Sequence, residues 1–343
     1  MTAETAATGR KPVMSDVARL AGVSHQTVSR VLNGSPHVKE ATRDRVLQAI
    51  HELDYRPNSA ARALVTNRSQ TLGVVSFDTT LYGPASMLHG IEQAARGHDY
   101  FVSIVSVRTL DAHSIQQAVD RLRDQAVEGV LVIAPQNSAP GSLAGLGGDL
   151  PVVAVGSGPS GSVPAVAVDN EAGARAVTRH LLDLGHRTVH HLAGPAGWLD
   201  SQARLAGWRA VLDESGAAVP EVLTGDWSAR SGYELGLRLA ADPSVTAVFC
   251  ANDHMALGLL RALNEAGISV PGDISVAGFD DIPEASYFTP PLTTVRQDFG
   301  ALGRRGLELL VDRIEAGPES ARQPHALIPP ELVPRGSTAA PGR

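Results

Sequence analysis

Apolar positions recur along this chain with two different rhythms, and the change falls near residue 70. From Val13 to Leu53 they follow helical spacing in three short runs. "MSDVARLAG" supplies the first, with Ser15 the expected cap, and "GVSHQTVSRVLNG" the second, opened by Ser24 after a turn at Gly22. In the third, "KEATRDRVLQAIHEL", Val46, Ile50 and Leu53 repeat at i, i+4 and i+7. Residues at those intervals share one helix face, and a Ser before a helix can accept from the free N–H groups of its first turn. Pro57 ends the third run, and "PNSAARALVTNRSQ" follows as a short helix-prone stretch and polar linker.

Beyond Gln70 brief Val- and Ile-rich runs alternate with amphipathic segments: "TLGVVSF", "FVSIVSV", "GVLVIAP", "PVVAVG", "AVAVD", "TVHHLAG", "TAVFCAN" and "DISVAGFD". Continuous apolar strands separated by helices predict parallel sheets covered on both faces. Eight runs are too many for one comfortable sheet. The expected fold class is therefore α/β, with an N-terminal helix-turn-helix head and a body of two lobes around a cleft. The expected boundaries are 12–57 for the head, 58–70 for a linker, 71–338 for the body and 339–343 for a disordered tail.

Composition sharpens this division. The chain has 343 residues, 43% of them hydrophobic, enough for several domains with a substantial core. Its net charge of −7 argues against a nucleic-acid binder, but the average hides an asymmetry. Residues 1–68 hold ten Lys and Arg against six Asp and Glu, a net of +4, while the remainder holds 19 against 30, a net of −11. A basic head on an acidic body suggests that only the head approaches phosphates. The opening "MTAETAATGRKP" has no apolar run, so neither a signal peptide nor a membrane anchor is expected, and the single Cys250 suits a reducing cytoplasm. Within its apolar strand Cys250 is expected to be buried filler.

Two helices joined by a tight Gly turn match the geometry in which the second helix enters the major groove. That geometry sends Val23, Val28 and Val31 or Leu32 inward against Val17 and Leu20, leaving His25, Gln26 and Arg30 on the open face. Gln can pair bidentately with adenine and Arg with guanine. A polar helix face alone is common. A capping Ser, a Gln and an Arg over apolar anchors favour DNA reading.

"MSDVARLAGVSHQTVSRVLNG" followed by "TRDRVLQAIHELDYRPNSAARALVT" resembles the head of the LacI/GalR family of bacterial transcription regulators, and the resemblance extends to about residue 338. It implies base reading by His25, Gln26 and Arg30, and backbone contacts from Ser24, Thr27, Ser29, Asn33, Thr42 and Arg43. It also implies a hinge helix over 58–65 that pushes Leu64 into the minor groove. Asn58 can cap such a helix, while Ala60, Ala61 and Ala63 allow close approach, and an apolar wedge can kink a duplex. One departure is Lys39, where the family often has Ser to start the third helix.

For the body the resemblance implies a periplasmic-binding-protein-like pair of lobes closing on a small ligand. Residues at strand ends or just beyond suit a polyol: Asn252 and Asp253, Asp280 and Asp281, Arg204 and Trp227. Carboxylate, amide and guanidinium groups hold neighbouring hydroxyls, and an indole stacks on a sugar face. Asn252 or Asp253 could instead simply cap a helix. Trp208 is expected in the core, and His190 and His191 on opposite faces of a strand. By resemblance Arg204, Trp227, Asn252, Asp280, Gln297 and Phe299 line the effector site, joined by Phe77 where a member of the family has a serine. Gly156 and Ile133 likewise replace an expected carboxylate and asparagine, pointing to a galactoside-like or other glycoside effector with altered selectivity.

The expected function is a sequence-specific repressor of carbohydrate-utilisation genes, released by a sugar inducer. Its expected partners are a pseudo-palindromic double-stranded operator, the sugar and a second copy of the chain, with no metal, cofactor, membrane or catalytic role. The alternatives are a sugar-binding transport component, a regulator using its ligand as corepressor, or a sugar-processing enzyme with Asp280 as base.

Overall fold

A computed structural model describes residues 12–32, 34–56, 68–134, 143, 150–156, 163–316 and 325–342. The chain divides into two compact units, residues 1–69 and 70–343.

The first unit holds helices α1 (Met14–Ala21), α2 (His25–Leu32) and α3 (Glu40–Glu52). Val17, Ala18, Ala21, Val28, Val31, Val46, Ala49 and Tyr55 form its core, with Val23, Leu32, Ile50 and Leu53 packed at the margin. Two expectations for α1 need correction. Ser15 does not cap it: Val13 occupies the cap position, and its N–H donates to the Asp16 carboxylate at 3.0 Å. Leu20 is 47% exposed. The buried stripe is centred between Val17, Ala18 and Ala21, and Leu20 falls roughly 100° round from that centre at 3.6 residues per turn. Ser24 does cap α2, its Oγ accepting from Thr27 N–H at 3.2 Å. Lys39 opens α3 without a side-chain cap bond, as its side chain dictates.

The second unit is two lobes. The first has a six-stranded sheet in the order β11-β5-β4-β3-β1-β2. Its strands are β1 (Thr71–Phe77), β2 (Phe101–Val107), β3 (Gly129–Ile133), β4 (Val152–Val155), β5 (Ala165–Val168) and β11 (His325–Ile328), paired in parallel throughout. Helix α5 (Ala112–Arg123) covers one face, and α4 (Tyr82–Gly97) with α10 (Phe299–Ala316) the other. Side chains alternate across a strand, so Val130 and Val132 of β3 lie under α5 while Leu131 and Ile133 lie under α4 and α10. Ile133 is thus core. The run "FVSIVSV" departs from the expected coverage: β2 is an edge strand, with Phe101 70% exposed.

The second lobe has the parallel sheet β7-β6-β8-β9, from Leu223–Thr224, His190–Ala193, Ala247–Cys250 and Ser275–Ala277. Around it lie α6 (Asn170–Asp183), α7 (Leu199–Ser215), α8 (Ala229–Ala240) and α9 (Asp253–Glu265). A small antiparallel pair, β10 (Thr294–Arg296) with β12 (Glu331–Val333), completes it. The chain passes between lobes after β5, after β10 and after β11, so each lobe is assembled from separate stretches.

Trp208 is fully buried and donates to the Val189 carbonyl at 2.9 Å. His191 is stacked between Trp208 and Phe249, and burial pushes its pKa down to about 4, whereas His190 is half-buried on the other face. Cys250 is buried, as expected of filler. The tail expectation fails at Ala339. Its N–H donates to Ser275 Oγ and its carbonyl meets His186 Nε2, both at 3.0 Å, while Ser337 is wholly buried beside β9. Among the described residues no helix is long and apolar enough to cross a membrane.

Candidate functional site

In the first unit the side chains of Ser24, His25, Gln26 and Arg30 are exposed, over a face anchored by buried Val28 and Val31. Ser24 Oγ and Thr27 Oγ1 also lie 2.9 Å apart, so the two hydroxyls brace the helix start. Ser29 and Thr42 are half-buried. Arg43 donates to the Ser35 carbonyl at 2.7 Å, fixing the loop after α2. Asn33, Asn58, Ala61 and Leu64 lie outside the described residues, as does the whole expected hinge helix.

In the second unit a cavity of about 300 Å³ lies between the lobes. Arg204, Trp227, Asn252, Asp280 and Gln297 all line it, brought together from α7, the β7–α8 loop, the start of α9, the loop after β9 and the crossing after β10. Arg204 is buried and highly tied. Its Nε donates to Asn170 Oδ1 at 2.8 Å, its Nη1 donates to the Ala251 carbonyl and lies 3.3 Å from Asp280 Oδ1, and its guanidinium stacks 3.8 Å above the Phe279 ring. Gln297 Nε2 donates to the same Asp280 oxygen at 2.6 Å. Burial pushes the Asp280 carboxyl up to about 6, against the opposing pull of Arg204 and Gln297. Asn252 serves both readings at once: it lines the cavity and caps α9, accepting from Met255 N–H at 2.9 Å.

Two adjacent aspartates part company here. Asp280 and Asp281 have φ of 109° and 52°, in the left-handed region that costs non-glycine residues about 1–3 kcal/mol. Asp280 joins Arg204 at the cavity, while Asp281 forms ion pairs with Arg296 at 2.7 Å and Arg335 at 2.6 Å. Asp253 is also structural. It accepts from Thr294 at 2.6 Å and from Ile282 N–H at 2.9 Å, and burial, then the nearby Asp280, raises its carboxyl well above the usual range.

Phe77 and Phe299 do not line the cavity. Phe77 stands behind Trp198, with ring centroids 6.0 Å apart, and Phe299 packs edge-on against Tyr82 at 5.8 Å. Gly156, at φ 82°, leaves room that the Met87 thioether fills.

Residues 178–338 match the model of a periplasmic binding protein-like domain, and residues 13–58 match that of bacterial regulatory proteins of the lacI family. The lactose operon repressor of Escherichia coli strain K12 is 34% identical over 334 residues, covering 96% of this chain and 92% of that protein. The chain belongs to the lacI family of bacterial regulatory proteins. Another curated relative, the HTH-type transcriptional repressor PurR of Vibrio campbellii, is 35% identical over 312 residues, or 88% and 92% of the two chains. The crystal structure of the lac repressor dimer bound to operator and the anti-inducer ONPF superposes with a TM-score of 0.86, at 34% identity and over 96% and 100% of the chains. The transcriptional regulator CelR in complex with cellobiose gives 0.69, at 33% identity over 95% and 99%. This lacI-family chain is accordingly a DNA-binding transcriptional regulator.

Among the cavity-wall residues that sequence reasoning missed are Trp198, Asp200, Tyr82 and His254. Trp198 meets Trp227 edge-on at 5.6 Å. Asp200 is half-buried, accepts from Asn170 Nδ2 at 3.0 Å, and desolvation raises its carboxyl to about 6 despite the Arg204 charge. A signal was available, because Asp200 precedes Arg204 by four positions and residues at that spacing share a helix face.

Proposed function

We propose that this protein represses carbohydrate-utilisation genes as a homodimer on a pseudo-palindromic operator, and that a glycoside of the galactoside-like class releases it. The reading is carried by one observation: Arg204, Asp280, Gln297 and Asn252 converge with Trp198 and Trp227 on a single cavity between lobes. That combination offers hydrogen bonds for ring hydroxyls and flat surfaces for the apolar faces of sugars. Similarity to CelR, solved with cellobiose, supports a carbohydrate ligand, and similarity to the lac repressor dimer on its operator supports two heads per site. One head reads only a few base pairs, so two are needed for useful specificity.

In this reading His25, Gln26 and Arg30 contact bases, while Ser24, Thr27, Ser29, Asn33, Thr42 and Arg43 contact the backbone. Asn58, Ala61 and Leu64 act in the hinge. The ligand binds one lobe arrangement better than the other and so lowers operator affinity, with a coupling of about 1–3 kcal/mol per site. The protein works in the cytoplasm, where its DNA is, and performs no catalysis. A mobility shift on a pseudo-palindromic operator, titrated with lactose, methyl β-galactoside and cellobiose, tests this. The expected result is retardation that one of the sugars reverses. Sugar-strengthened retardation would make the ligand a corepressor, and no retardation at low salt would sink the reading.

A further inference from the structure

We infer that Asp200 makes this cavity selective for uncharged ligands that donate hydroxyl protons, and that it excludes phosphorylated or carboxylated sugars. The inference rests on the cavity being the effector site. It follows from which hydrogen-bonding valences the fold leaves open.

The donors of Arg204, Asn252, Thr80 and Ser228 are largely spent, while the buried Trp227 indole N–H has no partner among the described residues and stays open to a ligand. Arg204 has committed Nε and Nη1 to Asn170, Ala251 and Asp280, leaving Nη2 as its open nitrogen among the described residues. Asn252 is used at both ends, its Nδ2 donating to the Trp227 carbonyl at 3.0 Å and its Oδ1 capping α9. The hydroxyls of Thr80 and Ser228 donate away from the cavity, to Asp78 and Asp226, each at 2.5 Å.

The acceptors are in the opposite condition. At Asp280 both Gln297 and Arg204 approach Oδ1, and at Asp200 Asn170 approaches Oδ1. Neither Oδ2 has a protein donor among the described residues, although both side chains line the cavity. A ligand that fits must therefore bring donors. Ring hydroxyls do so, and carboxylates accept from them strongly.

Charge leads to the same conclusion. The pairing of Arg204 with Asp280 leaves that pair neutral, so Asp200, whose hydrogen-bond partner Asn170 is uncharged, is the carboxylate without an ion-pair partner in a lining that also holds His254. An anionic sugar would place its charge against a half-buried carboxylate, where like charges repel more strongly than in bulk water. Arg204 would offer it one open nitrogen, beside the neutral indole N–H of Trp227.

The test is a set of titrations of the full chain at pH 7.5, read by calorimetry and by the fluorescence of Trp198 and Trp227. The probes are methyl β-galactoside, lactose and cellobiose, against galactose 6-phosphate and galacturonate. The wild type is expected to bind a neutral probe at least 100-fold more tightly than either anionic one. D200N keeps an acceptor for Asn170 but turns the open oxygen into a donor, so it should cut that preference at least tenfold. D200S, which removes the carboxylate altogether, should cut it likewise, and thermal unfolding shows that each variant is folded. Equal wild-type affinity for neutral and anionic sugars overturns the inference and leaves the effector-site reading standing. So does an unchanged preference in both variants. Binding of none of the five probes would overturn the effector-site reading, and this inference with it.

Discussion

The two lobes contribute to the cavity in opposite ways. The second lobe and its crossing supply every charged lining residue, and a web of hydrogen bonds among protein groups holds them. The first lobe offers Thr80, Leu81, Tyr82, Gly83, Pro84 and Met87, none of them charged. Met87 even occupies the space at Gly156 where the family resemblance called for a carboxylate. Recognition and covering are thus divided between lobes. Preorganised polar groups cost little to order on binding, so affinity should reside in the second lobe and the first should mainly exclude water.

The largest expected effect follows from the web itself. Arg204→Ala removes the cation paired with Asp280 and leaves that buried carboxylate uncompensated, which costs about 3–5 kcal/mol. Urea unfolding should show this loss, and a change under 1 kcal/mol would mean that the web is not what holds the second lobe's face of the cavity.

Asp200→Asn should act the other way on stability. The carboxyl titrates near 6 in the fold against an ordinary 3.8, so the folded state holds its proton more tightly than the unfolded chain does. Its stabilising contribution is complete below about pH 4 and is lost as the pH rises through about 6. At pH 7.5 the amide should therefore raise stability by up to about 3 kcal/mol, at 1.36 kcal/mol per pKa unit, with no gain at pH 4. Thermal unfolding at both values checks the sign.

Asp280→Asn should weaken ligand binding by about 1.5–3 kcal/mol, the usual value of a hydrogen bond to a charged group. Operator affinity without ligand should be unchanged in the mobility shift. The smallest effect belongs to the first lobe. Met87→Leu keeps the volume and should cost under about 1.5 kcal/mol of stability, with ligand affinity barely altered. If Met87→Leu weakened binding as much as Asp280→Asn, the division between lobes would be wrong.

Much of this was legible in the residue order, for identifiable reasons. All eight apolar runs became strands, seven of them because buried parallel strands are apolar on both faces, while β2 is an exposed edge strand. β7, β10, β11 and β12 escaped notice because they are two to four residues long, and β11 and β12 are partly exposed. In the site, Arg204, Trp227, Asn252 and Asp280 were legible from their places at or beyond strand ends and Gln297 from the family resemblance, and the five share one cavity. The separate fates of Asp280 and Asp281 were not readable, since they depend on two backbone angles that residue type does not dictate. Phe77 and Phe299 were placed one layer too close for a similar reason: a strand or helix end fixes where a ring starts, and neighbours such as Trp198 and Tyr82 decide what it touches. The stretch "LVPRGSTAAPGR" lacks apolar periodicity, yet its small polar residues finish the hydrogen bonding of β9.

That last docking has a consequence for how the protein is made. Val276 N–H donates to the Ser337 carbonyl at 2.9 Å, and Thr293 N–H donates to Ser337 Oγ at 2.8 Å. The first lobe, for its part, lacks an edge strand until Ile328 has been added. As the chain leaves the ribosome the first lobe cannot be completed until Ile328 has emerged, nor the second until Ser337 has, whereas α1 to α3 form one unbroken stretch ahead of both. Contiguous units fold early during synthesis, and interleaved ones must wait. The head is finished while the body that carries the cavity is still being built.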